Sequence, residues 1–128
     1  HILNNKPNLK LESAHFEWKN KHESKPLDRE WVSVKINLRN LSKRSTTIEA
    51  VYVNIGNNIL EPDFFNEINI SGDASKSLDY VFSFEKKEFK KLFNEKGEIT
   101  LGVNIIHTFG SIKKQVDDSF DTGWLSLF

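Results

Sequence analysis

The sequence contains no cysteine and no methionine among its 128 residues. Without cysteine, the chain can form no disulfide, no CxxC redox pair, no thiolate zinc site and no cysteine nucleophile. It also has no excess of either charge, because 18 Lys and Arg balance 18 Asp and Glu. A general nucleic-acid-binding protein is usually basic, so we expect no nucleic-acid partner.

The sequence also lacks a long apolar run, since none approaches the roughly 18 residues that a membrane-spanning helix needs. It begins with His1, which we interpret as a tag remnant, a processed end or an artificial boundary. We therefore expect that any signal or membrane anchor has been removed or never existed. Residues 1–8 are polar and predict a linker. Residues 9–128 suit one domain with a single core.

Alternation of apolar and polar residues predicts strands along most of the chain. The clearest runs from Trp31 to Asn40, where one face is apolar and the other polar, as in an antiparallel sheet. Further strands are predicted at 9–18, 46–55, 58–60, 65–70, 77–84, 98–108 and 112–120. Phe89, Leu92 and Phe93 follow helical spacing and predict one short amphipathic helix at about 85–94.

Two of these strands carry apolar residues on both parities. In 9–18 the change of parity predicts a β-bulge near Glu12–Ser13. In 46–55 the same pattern suggests a central strand covered on both faces. The apolar residues of 124–128 are expected to dock on the domain. Seven or eight short strands with one helical crossover predict a mainly β fold, an immunoglobulin-like antiparallel β-sandwich.

The sequence matches known catalytic motifs only weakly. Asp121-Thr122-Gly123 matches the triplet of aspartic proteases, but it lies at the end of the chain, and a turn is the favoured interpretation. Asp117, Ser119 and Asp121 have the alternate spacing of a calcium loop, without its glycine or its bidentate glutamate. These residues therefore predict neither a protease nor a calcium site.

The histidines suggest no metal site either, since the sequence contains no HxH and no HExxH. His15 and His107 lie on predicted strands far apart in the chain. There is no GxSxG, no SxxK and no phosphate-binding glycine loop, and the six glycines are interpreted as isolated turn residues. We expect no enzyme and no cofactor. A hydrolase that uses Asp117, Asp121 and His107 is the less favoured alternative.

The aromatic residues offer the better binding candidates. Trp18, Trp31 and Tyr52 are predicted as binding residues. Trp18 and Trp31 are the candidate anchors for a protein partner through a sheet face or end loops, with core packing as the alternative for both. The alternative is a carbohydrate- or small-ligand-binding domain in which these residues, or Tyr80, act as stacking platforms. Exposed sheet edges also allow self-association by strand pairing.

Two further features have a non-functional interpretation and a functional alternative. Lys43-Arg44 and the lysines of 86–91 are interpreted as solvated faces, with contact to anionic lipid or nucleic acid as the alternative. Asn40-Leu41-Ser42 and Asn69-Ile70-Ser71 fit the glycosylation sequon, a short match that often arises by chance.

The stretch from Trp31 to Asn57, WVSVKINLRNLSKRSTTIEAVYVNIGN, resembles the strand, Asn-x-Ser turn and strand of small bacterial immunoglobulin-like modules. Lys6 to Leu11 resembles the segment that leads into such a domain after an N-terminal membrane helix. The resemblance implies the soluble domain of a membrane-anchored bacterial protein, on either side of the membrane. It implies a fold and no catalytic residues.

Overall fold

The computed structural model describes residues 8–18, 29–56, 58–85, 87 and 100–116. These residues are mainly β. The strands are β1 (Leu9–Trp18), β2 (Arg29–Asn40), β3 (Thr46–Ile55), β4 (Asn58–Leu60), β5 (Ile68–Ile70), β6 (Ser75–Glu85), β7 (Leu101–His107) and β8 (Gly110–Val116). Strands β1 and β3 have the bounds predicted from the sequence.

The strands form two antiparallel sheets. The three-stranded sheet has the order β1-β2-β6, and the five-stranded sheet has the order β4-β3-β7-β8, with β5 also paired to β3. Strand β4 pairs with the end of β3 at Val53–Ile55, and β5 pairs with its beginning at Thr46–Ile48. Because β7 occupies the opposite edge, β3 is a central strand, as its composition predicts.

The core follows from the alternation of apolar residues on both sheets. The three-stranded sheet contributes Leu9, Leu11, Phe16, Val32, Val34, Ile36, Leu38, Leu78, Tyr80, Phe82 and Phe84. The five-stranded sheet contributes Ile48, Val51, Val53, Ile55, Ile70, Leu101, Val103 and Ile105. All of them join one hydrophobic cluster. Fully burying one such aliphatic or Phe side chain is worth about 1.5–3 kcal/mol, so this shared core holds the sheets together.

The predicted bulge in β1 is confirmed. The register between β1 and β2 shifts between Leu11 and Ser13. This extra residue lets Leu11 on one parity and Phe16 on the other both reach the core, where both are buried. A bulge in this position repairs a pattern that would otherwise place one half of the strand's apolar residues in solvent.

Strand β3 also contains a bulge, which the sequence interpretation missed. Its register with β7 shifts between Ile48 and Ala50, so Ile48 and Val51 both face the core despite their different parity. Tyr52 and Asn54 lie on the other face and are half-buried. The expectation that β3 is covered on both faces is therefore wrong; a bulge explains its apolar pattern.

Asn40 joins the two sheets where β2 ends. Its Nδ2 donates to the carbonyl oxygens of Arg44 at 2.7 Å, Ile70 at 3.2 Å and Ser71 at 3.2 Å. Its Oδ1 accepts hydrogen bonds from the Ser42 backbone N–H at 3.1 Å and the Ser42 hydroxyl at 2.9 Å. Asn40 is 1% exposed, so the first sequon has its amide buried and fully engaged.

The loop between β5 and β6 packs tightly beside Asn40. A β-carbon on Gly72 would overlap the backbone carbonyl of Lys43, so only glycine fits there. The next residue, Asp73, has a φ of 59°, a left-handed conformation that aspartate tolerates better than most residues. Its backbone N–H donates to the Ser42 carbonyl at 2.9 Å.

Several predicted elements lie outside the described residues. Glu85 ends β6, and apart from Lys87 the rest of the predicted helix at 85–94 is not described. The same holds for residues 117–128, with their apolar end. Across the part of the chain that the structure describes, no helix is both long and apolar enough to cross a membrane.

Replacing Asn40 with alanine should lower the free energy of unfolding by about 3 kcal/mol, because several buried backbone groups lose their partner at once. Urea unfolding at neutral pH measures the loss. Asn69→Ala is the matched control, since the exposed Asn69 amide donates one described hydrogen bond, to Thr47 Oγ1 at 3.1 Å. It should lose less than about 1 kcal/mol. Equal losses in the two variants would contradict the role assigned to Asn40.

Candidate functional site

A groove opens on the outer face of the five-stranded sheet at Gly102. This residue lies between the buried Leu101 and Val103 of β7, so it faces away from the core. Its neighbours in register are Asn54 on β3 and Gln115 on β8. Because Gly102 has no side chain, a gap of about 230 Å³ remains between these neighbours.

The fold does not require glycine at this position. Gly102 does not have the positive φ that Gly56 and Gly110 have. A β-carbon built on it would lie 3.5 Å from the Lys114 carbonyl oxygen and 3.6 Å from Asn54 Cβ, which are ordinary contacts. Glycine inside a strand weakens it and often marks a place where a ligand approaches the backbone. The groove is therefore the main consequence of having glycine here.

Polar side chains surround the groove. Asn54 and Gln115 flank Gly102, and the next row along the sheet places Asn104 beside Lys113. The Asn104 Oδ1 atom is buried and has no hydrogen-bond partner. An unpaired buried acceptor costs about 1–3 kcal/mol, which a donor supplied by a ligand would recover after a small reorientation of the amide.

This lining suits binding rather than proton transfer. Amides both donate and accept hydrogen bonds, and three of them meet here. The lining side chains within the described part of the chain include no carboxylate and no histidine. Nor do the described residues contain any group of three His, Cys, Asp or Glu side chains that could hold a metal ion.

Of the predicted aromatic anchors, one lies beside the groove. Tyr52 is half-buried on the same outer face, directly opposite Asn104. Trp31 is half-buried on the other sheet, opposite Ser83. The structure therefore places Tyr52 and Trp31 on different sheets and does not bring them together.

The other two aromatic candidates differ in outcome. Trp18 ends β1 and its backbone pairs with Val32, while its side chain lies outside what the structure describes. Tyr80 is 6% exposed and packs against Phe65, with ring centroids 5.8 Å apart. Burial raises the pKa of Tyr80. The idea that Tyr80 is an exposed stacking platform is wrong, because its ring belongs to the core.

His107, the histidine of the hydrolase alternative, lies on the inner parity of β7. It is buried, and its Nδ1 lies 2.8 Å from Thr46 Oγ1. Asp117 and Asp121 lie outside the described residues, so their approach to His107 remains a prediction. Desolvation by burial lowers the pKa of His107, and the nearby Glu49 carboxylate partly opposes this effect.

Of the lysines at 86–91, the structure describes Lys87, whose Nζ lies 3.0 Å from Glu85 Oε2. The hydrogen bond from Lys87 and its charge lower the pKa of the Glu85 carboxyl. This pair agrees with the interpretation of the cluster as a solvated face. The remaining lysines of the cluster lie outside the described residues.

Sequence reasoning placed Gly102 inside the predicted strand 98–108 but interpreted the glycines as isolated turn residues, so it missed the groove. A usable signal was nevertheless present. Ile99, Leu101, Val103 and Ile105 alternate without interruption, so Gly102 had to lie inside a strand and on its outer face. A glycine in that position predicts a gap in the sheet surface.

The comparisons with known proteins show a small, mainly β domain. No protein-family model matches the sequence, and neither does any curated protein. A structure of a protein from Archaeoglobus fulgidus has a TM-score of 0.57 at 9% identity, over 83% of this chain and 94% of that one.

Two further solved structures are similar. A Bacillus subtilis protein described as a "putative lipoprotein" has a TM-score of 0.56 at 14% identity, over 96% of this chain and 39% of that one. The present chain thus spans well under half of that protein. A copper-bound PCuAC domain reaches a TM-score of 0.47 at 10% identity, over 88% of this chain and 93% of that one, which is too low to support an inference. At these identities the likeness concerns the fold alone.

The buried His107 should make stability depend on pH. Its folded pKa lies below the ordinary value of 6.5, so below about pH 6.5 the unfolded chain binds more protons than the folded one. Its stabilising contribution is complete above that pH and is lost as pH falls toward the folded pKa, by at most about 1.4 kcal/mol per pH unit.

Urea unfolding at a series of pH values between 8 and 5 tests this expectation. The control is His107→Asn, whose amide can still meet the Thr46 hydroxyl but does not titrate. The difference in unfolding free energy between the two proteins should change below about pH 6.5. A difference that stays constant with pH would show that protonation of His107 does not affect stability.

Proposed function

We propose that this domain is a non-enzymatic binding module that takes a small, neutral, polar ligand such as a saccharide in the groove at Gly102. The observation that carries the proposal is a glycine that the strand does not need, set among three amides on an open sheet face. Glycine at position 102 weakens the strand, and its structural consequence is the gap on the sheet surface.

The chemistry of the lining supports a hydroxyl-rich ligand. Each amide of Asn54, Asn104 and Gln115 can donate to one hydroxyl and accept from another. The ring of Tyr52 in the neighbouring row supplies an apolar surface of the kind that packs against a sugar face. Lys113 is the charged neighbour opposite Asn104, so an acidic sugar is the natural variant of the same ligand class.

We also propose that the two sheets form an immunoglobulin-like sandwich. In this assignment, β1-β2-β6 take the places of strands A-B-E and β4-β3-β7-β8 take those of strands C′-C-F-G. Strand β5, in the place of strand D, departs from it by pairing with β3 rather than β6. The disulfide of antibody domains is absent, because the chain has no cysteine.

We further propose that the domain is the soluble part of a membrane-anchored bacterial protein. The likeness to the Bacillus subtilis protein and the resemblance of Lys6 to Leu11 to a post-anchor segment support this location.

A protein partner is the second candidate, and exposed apolar side chains favour it. Ile59 on β4 is 70% exposed, and Phe64 in the loop between β4 and β5 is 76% exposed. Exposed apolar side chains mark an interaction surface where they form a contiguous patch, and this candidate requires Ile59 and Phe64 to contribute to one. A second copy of the chain is one form of this partner, because β8 is an edge strand of its sheet.

Gly102→Ala separates a ligand site from a structural glycine. The methyl group occupies part of the groove without overlapping its neighbours, so stability should rise by about 0.5–1 kcal/mol. Saccharide affinity should fall about tenfold or more, because the ligand loses its closest approach to the strand. Binding to a panel of neutral and acidic saccharides is measured by backbone amide NMR, which locates the site through shifts at residues 54, 102, 104 and 115.

Ser33→Ala is the matched control on the outer face of the other sheet, and it should leave affinity unchanged. The proposal fails if no saccharide shifts the groove amides, or if Gly102→Ala binds as well as the unchanged domain. An Ile59→Ser and Phe64→Ser double variant addresses the second candidate. It should lose self-association in light scattering if these side chains form a contact between copies.

A further inference from the structure

Among the residues that the structure describes, the charged side chains at one end of the domain are almost all basic. Strands β2, β5 and β7 end here, and β1, β3, β6 and β8 begin here. We define the basic end as the loops 41–45, 71–74 and 108–109 with the two nearest residues of each strand. Its cations are Lys10, Arg39, Lys43, Arg44 and Lys76, and its carboxylate is Asp73. All six are exposed.

This excess of positive charge is a local property, because the whole chain has a formal net charge of zero. Four to eight Lys and Arg side chains gathered at one surface are enough to attract an anionic membrane surface. Arg39 and Lys10 lie in one register row at this end, and Lys43 and Arg44 stand in the loop beyond it.

The loop that carries Lys43 and Arg44 also exposes an apolar side chain. Leu41 is 44% exposed, although it lies beside the fully engaged Asn40. The Arg44 guanidinium stacks over Phe109 at 4.7 Å from the ring centroid, which fixes the loop against the β7–β8 turn. An apolar side chain among cations is the combination that membrane-surface segments use.

The chain enters the domain at the same end. The Leu41 backbone N–H donates to the Asn8 carbonyl at 2.8 Å, and Asn8 immediately precedes β1. Asn8 therefore lies at the basic end, and a membrane anchor in a segment before it would be attached to the domain at this end. An anchor in that segment would bring Leu41, Lys43 and Arg44 close to the bilayer.

We propose that the basic end rests on a membrane surface rich in anionic phospholipid. The contact needs no anchor, although an anchor would strengthen it by raising the local concentration. Leu41 favours lipid over nucleic acid, since an apolar side chain gains nothing from a phosphate backbone. The contact is separate from the groove at Gly102, which lies on a sheet face, so either can fail alone.

Co-sedimentation with vesicles of equal parts phosphatidylglycerol and phosphatidylcholine tests the proposal on the unanchored chain at 50 mM salt. The domain should bind these vesicles and should not bind pure phosphatidylcholine. Lys43→Glu with Arg44→Glu should weaken binding about tenfold or more, because it reverses two of the five charges. Leu41→Ser should weaken binding at unchanged salt dependence.

Lys35→Glu with Lys87→Glu is the matched control, since it makes the same change in net charge at two exposed lysines away from the basic end and from the groove. Screening over about 10 Å at 0.1 M salt should leave its vesicle binding close to that of the unchanged domain. Equal weakening by both double variants, or no binding to anionic vesicles, would overturn the proposal. Tighter binding to a duplex DNA than to the vesicles would also overturn it.

Discussion

The hydrogen bonds of one buried amide link the end of the three-stranded sheet to the end of the five-stranded sheet. Asn40 ends β2 of the first sheet, and its Nδ2 reaches the Ile70 carbonyl at the end of β5 in the second. Hydrophobic burial brings the sheets together, but it is non-directional and cannot fix how their ends align. The Asn40 amide fixes this alignment, because its Nδ2 and Oδ1 atoms have hydrogen-bond partners in the loops 41–45 and 71–74 and at the end of β5. The basic end, which collects loops from both sheets, depends on strands aligned in this way.

The fold was largely predictable because burial leaves a period in the sequence. The bounds of β1 and β3 and the first bulge follow from apolar spacing alone. The same signal, apolar residues on both parities, had two physical causes available in β3. Cover on both faces and a bulge between Ile48 and Ala50 produce the same pattern, and only the register with β7 distinguishes them. A short stretch of sequence does not reveal which distant strand it pairs with or in which register.

The candidate site was less predictable, since it consists of a missing side chain and its neighbours across three strands. Tyr52 was predicted as a binding residue, and it lies beside the groove. Trp31 was predicted on equal grounds and lies on the other sheet, because aromatic identity carries no information about which sheet a strand joins. Gly102 carried a signal, but its importance depends on Asn54 and Gln115, which reach it only through strand pairing.

The distribution of charged residues on the surface depends on how the strands pair more than on where those residues lie in the sequence. Each half of the sequence is nearly neutral, with 10 basic against 8 acidic residues in 1–64 and the reverse, 8 against 10, in 65–128. Because antiparallel strands return to the same end with every second turn, loops from both halves meet there. Lys43 and Lys76 thus lie at the same end of the domain as Lys10, where Asp73 is the one carboxylate among the described residues of that end. A chain with no net charge can in this way present a basic surface, and the absence of net charge does not argue against an anionic partner.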